Sequence, residues 1–381
     1  MRFRPSPSHV RAGLAALVLA ILLAGCASDS PVPDRKPDPQ AVREHVASLL
    51  PPHVPRAQRI GWATDIQQAL IALGLPVDNE HVCSAIAVVD QESSFVADPP
   101  VANLPKLARE EIDRRASRLG VPGLAVRVAL QLESPDGRTY EERLASVRTE
   151  RDLSDLFDSF IDRVPLGRQL LSGFNPVRTG GPMQVQIDFA QRHMGQRNYP
   201  YPLRGSVRQE VFSRRGGLYF GIAHLFDYPA DYPATIYRFA DFNAGHYASR
   251  NAAFQSALAQ VSRRRLALDG DLLIPGAALD RPGQTEQAAR LVGGQAGLDD
   301  RAVRRDLALG DSASFGQSPL VRVVYERAER SAGKRLPRAI LPEIALTGPK
   351  IQRKLTTAWF ARRVDGRRVS CLERAAGQQA Q

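Results

Sequence analysis

The sequence predicts an all-α protein, and three observations carry that expectation. Apolar residues recur at helical spacing, as in Ile66, Leu70 and Leu73 or in Val82, Ile86 and Val89. Glycines close several of these runs, Gly74 and Gly120 among them. The last third keeps the same rhythm over 252–266, 284–292, 300–309, 320–332 and 351–362.

The elements follow in order. Residues 66–73 form one apolar helical face. The next helix starts near Asn79 and runs out by Ser93 or Ser94, which leaves Glu92 near its C-terminal end. Residues 106–119 read as a charged amphipathic helix stopped by Gly120. GLAVRVALQL, 123–132, stays open between helix and strand, and Ser134-Pro135-Asp136-Gly137 after it is a turn. Over 152–164, Leu153, Phe157, Phe160 and Ile161 share a side.

The 381 residues are enough for a sizeable core, and 43% apolar with 24% charged is ordinary for a folded chain. Only 7% is aromatic, too little for a nucleic-acid stacking platform. The net charge is +11, but 46 arginines against five lysines are spread along the chain, so no basic patch and no nucleic-acid partner are expected. There is no internal repeat, no glycine-rich phosphate loop and no His/Cys cluster at metal-ligand spacing. No cofactor and no metal are therefore expected. The seven histidines are scattered, and each reads as a solvated or core residue.

The N-terminus has the form of a secretory signal. Arg2, Arg4 and Arg11 precede an apolar run over 12–23, too short for a membrane span. It ends Leu22-Leu23-Ala24-Gly25-Cys26, which resembles the lipobox of bacterial lipoproteins. The resemblance implies a signal peptide over 1–25, a lipid-anchored Cys26, and an outer-membrane location facing the periplasm. Cleavage would remove three arginines and lower the charge from +11 to +8. SDSPVPDRKPDP, 28–39, reads as an extended tether, so 26–56 is assigned to the lipidated cysteine and tether and 57–381 to the domain. The folded part is expected to begin between 40 and 59.

After lipidation Cys83 and Cys371 remain, an even pair in an oxidising compartment. A disulfide between them would hold the tail to the helix that ends at Glu92. Two separate buried thiols are the alternative.

Glu92 follows an apolar run in AIAVVDQESSF, 85–95. The negative end of the helix dipole and an apolar surround both disfavour ionisation there, as a general acid requires. Taken alone, a surface glutamate at a helix end is the commoner case. GGPMQVQ, 180–186, and FADFNAG, 239–245, stand downstream. In this order the three stretches resemble the signatures of the lysozyme-like lytic transglycosylases. They appear here as Glu92-Ser93-Ser94-Phe95, Gly181-Pro182-Met183-Gln184-Val185 and Phe242-Asn243-Ala244-Gly245. YFGIAHLFDY, 219–228, resembles the helix before the last motif.

The resemblance implies a lysozyme-like helical domain whose partner is peptidoglycan, with Glu92 as the acid/base that cleaves the glycan strand. It implies that Ser93 orders the site, that Met183 and Gln184 line the groove, that the glycines let backbone approach the sugar, and that Asn243 braces the helix below Glu92. Asp90 lies two residues from Glu92 on another helix face and is a poor second carboxylate. The sequence departs from the family in three places. Phe242 stands where the family has a tyrosine that bonds the glutamate, unless Tyr237 or Tyr247 replaces it. Pro182 stands for leucine. Glu92 and Gly181 are 89 positions apart, so a helical insertion over about 97–179 is expected, with a helical C-terminal extension over about 251–381. The whole pattern also resembles an uncharacterised family of proteobacterial lipoproteins. The alternative expectation is a catalytically degenerate lipoprotein that binds peptidoglycan or a protein of the envelope.

Overall fold

The computed structural model describes residues 38–163, 169, 172–346 and 355–379, and over these the chain is predominantly helical. It divides into two units, Met1–Val42 and Arg43–Gln381. The first is described only over 38–42; the signal segment, Cys26 and most of the tether lie outside the described residues.

The folded unit begins earlier than the 56/57 boundary, within the expected window. Helix α1 (Pro39–Leu49) buries Val46 and Leu49, and Leu50 and Val54 after it are buried too. These apolar side chains are the reason the segment folds instead of serving as tether. Its last carbonyls are taken up by the Arg59 guanidinium, which donates to Ala47 and Leu50 at 3.1 Å each and to Pro51 at 2.6 Å. Arg59 belongs to helix α2 (Arg56–Ala72), whose Trp62, Ile66 and Leu70 are core residues.

Helix α3 (Asn79–Glu92) is the buried centre. Asp78 caps it, accepting from the His81 amide at 2.8 Å. Every residue from Val82 to Val89 is buried, as expected for a helix that is apolar all round.

The insertion is helical over its described residues. It holds α4 (Leu104–Arg118), α5 (Gly123–Leu130), α6 (Tyr140–Ser146) and α7 (Glu150–Arg163). The open stretch at 123–132 is thus mostly helix, with Val126 and Leu130 buried and Leu124 and Val128 exposed. Gly120 takes φ 72°, a left-handed stop after α4.

A small antiparallel hairpin, β1 (Thr179–Gly180) with β2 (Val185–Gln186), carries the second motif. Helices α8 (Ile187–Gln196), α9 (Val207–Val211), α10 (Arg214–Phe226), α11 (Ile236–Ala244) and α12 (Ala248–Ser262) follow. Together with α13 (Gln284–Gly294), α14 (Asp300–Leu307) and α15 (Pro319–Ala332), α12 builds a second core cluster around Phe254, Leu258, Val292, Phe315 and Val324.

The last helix differs from the expected 351–362. Residues 355–356 are strand β4 (Leu355–Thr356), paired with β3 (Ala345–Leu346), and 351–354 lie outside the described residues. Helix α16 (Thr357–Gln379) starts after the strand and packs across both α3 and α11. Cys83 and Cys371 are joined, with Cα atoms 5.5 Å apart. Arg367 Nε meets Asp90 at 2.8 Å, and Arg368 meets Glu80 at 2.8 Å. No helix among the described residues is long and apolar enough to cross a membrane.

Candidate functional site

Glu92 is the last residue of α3 and is half-buried. The chain then reverses sharply. Ser94 and Phe95 both take left-handed backbone, φ 49° and 63°, a conformation that costs non-glycine residues of order 1 kcal/mol or more each. Packing holds the reversal. Phe95 is 3% exposed, edge-on to Trp62 of α2 at 5.2 Å between centroids. The serine-phenylalanine sequence after Glu92 therefore turns the chain off the helix and plugs it into the core. Ser93 is buried, and its hydroxyl donates to the Val89 carbonyl at 3.1 Å. That bond fixes the helix end and leaves the hydroxyl oxygen its acceptor lone pairs.

Asp90 points to the opposite partners. It meets Arg367 at 2.8 Å and His53 at 3.1 Å, on the face of α3 that receives α16. Two residues along a helix is about 200° of rotation, so the carboxylates of Asp90 and Glu92 serve different surfaces.

The second motif packs inward. Gly181 takes φ 72°, and a Cβ there would lie 2.1 Å from the Val211 carbonyl. A Cβ on Gly221 of α10 would lie 2.4 Å from Met183 Sδ. At both glycines the missing Cβ lets one part of the protein lie close against another, Gly181 against the Val211 backbone and Gly221 against Met183. Met183 is fully buried against α10, so it supports a wall and does not line an open groove. Pro182 lies on Gly217 of the same helix. Gln184 is the outward residue, with left-handed φ 50°. Its Nε2 donates to Glu150 of α7 at 3.2 Å, and its Oε1 accepts from Thr179 at 3.3 Å.

The third motif is built on a buried carboxylate. Asp241 accepts from the hydroxyls of Tyr228 (3.1 Å) and Tyr232 (2.5 Å) and from the amides of Tyr247 (3.0 Å) and Ser249 (2.7 Å). Burial pushes its carboxyl above the usual range, against the pull of these donors. The network fixes the Gly245–Tyr247 turn, where Gly245 has φ 108° and Tyr247 φ 64°. The Tyr247 hydroxyl donates to the Pro229 carbonyl at 3.0 Å and so does not stand in for the hydroxyl absent from Phe242. Tyr237 lies near Tyr232, 5.8 Å between centroids, in the first turn of α11. Asn243 is exposed, and its amide oxygen accepts from Thr357 at 2.8 Å. Its described partner is thus the start of α16 and not the helix below Glu92.

A group of residues converges that no spacing in the sequence marks. His193 of α8, His224 of α10 and His246 after α11 surround Phe189, at 5.5, 4.6 and 5.7 Å between centroids. His224 stacks on His246 at 4.5 Å, and His246 on Tyr228 at 4.1 Å. They line a cavity of about 760 Å³ with Asp227, Asp269, Asp271 and Asp311. His224 Nε2 donates to the Phe242 carbonyl (3.3 Å), and His246 Nε2 to the His224 carbonyl (2.8 Å). Burial pushes the His224 imidazole down to about 3 and lowers His246, so both are neutral near pH 7. The only available signal was position. His224 and Asp227 lie inside the stretch at 219–228, and His246 directly follows Gly245.

A family model described as "Protein of unknown function (DUF1615)" matches residues 56–374. A curated relative, the uncharacterized protein YaiW of Escherichia coli strain K12, is 51% identical over 359 residues, covering 94% of this chain and 97% of its own. No solved structure matches the chain.

Proposed function

The chain belongs to the DUF1615 family, and from its own residues we propose that it is a lysozyme-like lipoprotein that cleaves the glycan strand of peptidoglycan in the manner of a lytic transglycosylase. One observation carries the reading. Six non-glycine residues among the described residues have positive φ; three of them lie in the first two motifs, Ser94, Phe95 and Gln184, and a fourth, Tyr247, follows the third motif by two residues. Left-handed backbone of this kind concentrates where a site is preorganised.

Glu92 acts first as the acid, giving its proton to the glycosidic oxygen as the bond to the sugar breaks. As a carboxylate it then takes the proton of the same sugar's 6-hydroxyl, whose oxygen closes a 1,6-anhydro ring. The nucleophile belongs to the substrate, so one carboxyl group serves both steps, unlike the paired carboxylates of most glycosidases. The pairing of Asp90 with Arg367 and His53 supports the single-carboxylate scheme. Cys26 carries the lipid, and the domain faces the periplasm from the outer membrane.

Phe242 favours a second reading, a degenerate lipoprotein that holds glycan or an envelope protein without cutting. The hydroxyl it lacks is not supplied by Tyr247. Purified sacculi separate the two. Release of muropeptides with 1,6-anhydro ends, read by mass spectrometry, supports cleavage. Retention of the protein on the sacculi with no release supports the binder. Neither release nor retention contradicts both. Labelling with a radioactive fatty acid tests the anchor: label in the natural chain and none in Cys26→Ser is expected, and label in both would refute it.

A further inference from the structure

The helices of the insertion do not close fully on one another. Between α4, α5, α6 and α7 lies a cavity of about 350 Å³, walled by Leu130, Leu153, Leu156, Phe157 and Phe160. The polar side chains of its lining are already engaged. Glu111 pairs with Arg114 and Arg115. Arg115 also donates to the Phe174 carbonyl at 2.8 Å, and the Tyr140 hydroxyl donates to the Ser159 carbonyl at 2.8 Å. Protein interiors leave few voids larger than a water molecule, and an apolar void gives water no partners. The cavity therefore suits hydrocarbon. It is more than twice the size of an apolar cavity of about 150 Å³, which admits benzene, so it has room for a single chain of about a dozen carbons.

A second cavity of about 510 Å³ adjoins the first, and the two share Ala116, Val121 and Val126. Val121 is 39% exposed, so both cavities open to solvent beside it. The second has the opposite character, with Arg109, Asp113, Ser117 and Arg127 in its lining. Arg109 sits between two carboxylates, Asp113 at 3.1 Å and Glu141 at 3.0 Å. Arg127 is exposed and makes no ion pair among the described residues. Arg118, the last residue of α4, is exposed and without an ion pair there as well. An apolar cavity thus lies beside a polar one that carries an uncompensated guanidinium. That pairing fits an amphiphile whose head is an anion, since a guanidinium binds a carboxylate through two parallel hydrogen bonds.

We propose that the insertion binds a single-chain fatty acid, with its hydrocarbon in the cavity walled by Phe157 and Phe160 and its carboxylate reaching past Val121 to Arg127. Nothing in this assignment depends on Glu92 or on glycan cleavage.

The test titrates the full chain by calorimetry with dodecanoate, octanoate and dodecyltrimethylammonium, each below its micelle concentration. Dodecanoate is expected to bind once per chain. It should bind at least about tenfold more tightly than octanoate, which buries less hydrocarbon, and than the cation, which has the same chain and the opposite head. NMR cross-peaks are expected between the dodecanoate chain and the Phe157 and Phe160 rings. Ala129 lines the apolar cavity and is half-buried, so Ala129→Phe fills it and is expected to lower the affinity by about tenfold or more. Arg127→Gln changes an exposed residue and should fold, which its NMR spectrum checks. It is expected to bind the anion and the cation about equally, and it decides the matter if Ala129→Phe does not fold. Absence of dodecanoate binding, equal binding of octanoate or of the cation by the natural chain, cross-peaks to other residues only, or unchanged binding in either folded variant would each overturn the assignment. Sedimentation with phosphatidylglycerol vesicles in the absence of dodecanoate binding would overturn it in favour of a bilayer surface.

Discussion

Cys83, on the helix that ends at Glu92, is bonded to Cys371 in the last helix of the chain, so the tail is a structural part of the domain. The bridge spans a sequence separation of 288 residues. Constraining so long a loop in the unfolded chain contributes about 6 kcal/mol in the chain-entropy model. The double variant Cys83→Ala, Cys371→Ala is expected to lose about 2–5 kcal/mol in chemical denaturation. Hydrogen exchange should rise in α16 before the α12–α15 cluster, because α16 then loses its covalent tie to α3 and keeps only its ion pairs and its buried apolar residues, Val364 and Ala375 among them. Unchanged stability would show that the bridge constrains nothing.

Gly221 is expected to resist a substitution that helix propensity favours. In an exposed helix, alanine for glycine stabilises by about 1 kcal/mol. Here the new methyl would meet Met183 Sδ at 2.4 Å and Met183 Cβ at 2.6 Å. Gly221→Ala should therefore destabilise by about 1–3 kcal/mol. Adding Met183→Ala should cost less than the sum of the two single changes, since the clash is removed with the thioether. Additive losses would mean the two residues do not bear on one another.

Acid should weaken the fold through His224. Its imidazole is held down to about 3 from an ordinary 6.5, chiefly by burial. Below pH 6.5 the unfolded chain binds this proton and the folded chain does not. The stability it contributes is full above that point and is lost as pH falls toward about 3, by about 1.4 kcal/mol per pH unit. His246, also lowered by burial, acts in the same direction. Asp241, raised by burial, acts in the opposite one, since its folded carboxyl takes up a proton more readily than the unfolded one, and offsets part of the loss. Denaturation at about pH 7 and about pH 5 should show the natural chain losing about 2 kcal/mol more than His224→Gln across that interval. Equal slopes in the two proteins would exclude His224 as the cause.

Much of the helical fold was legible because its faces are periodic. The runs at 66–73 and 79–92 could be read from their apolar spacing, and the pairing of Cys83 with Cys371 from the even cysteine count. The length of α16 could not. Its first residues are entered from a strand, and Arg367 and Arg368, which pair with α3, interrupt the buried run of Phe360, Ala361, Val364, Cys371 and Ala375. The stretch at 123–132 was ambiguous because exposed Leu124 and Val128 break its polarity pattern. The roles of Gly181 and Gly221 were hidden because a motif names residue types and not what they touch. The histidine cavity was invisible for a similar reason, since its members come from five separate segments brought together by tertiary packing.

The central claim is that Glu92 is the acid and then the base of glycan cleavage. Digestion of purified sacculi by the natural chain and by Glu92→Gln, with anhydro-muropeptides counted by mass spectrometry, tests it most directly. The amide keeps the shape of the side chain but has no proton to transfer. The natural chain is expected to release anhydro-muropeptides, and a Glu92→Gln variant that unfolds like the natural chain is expected to release none above the background of untreated sacculi. Release by the variant at the natural rate would contradict the account.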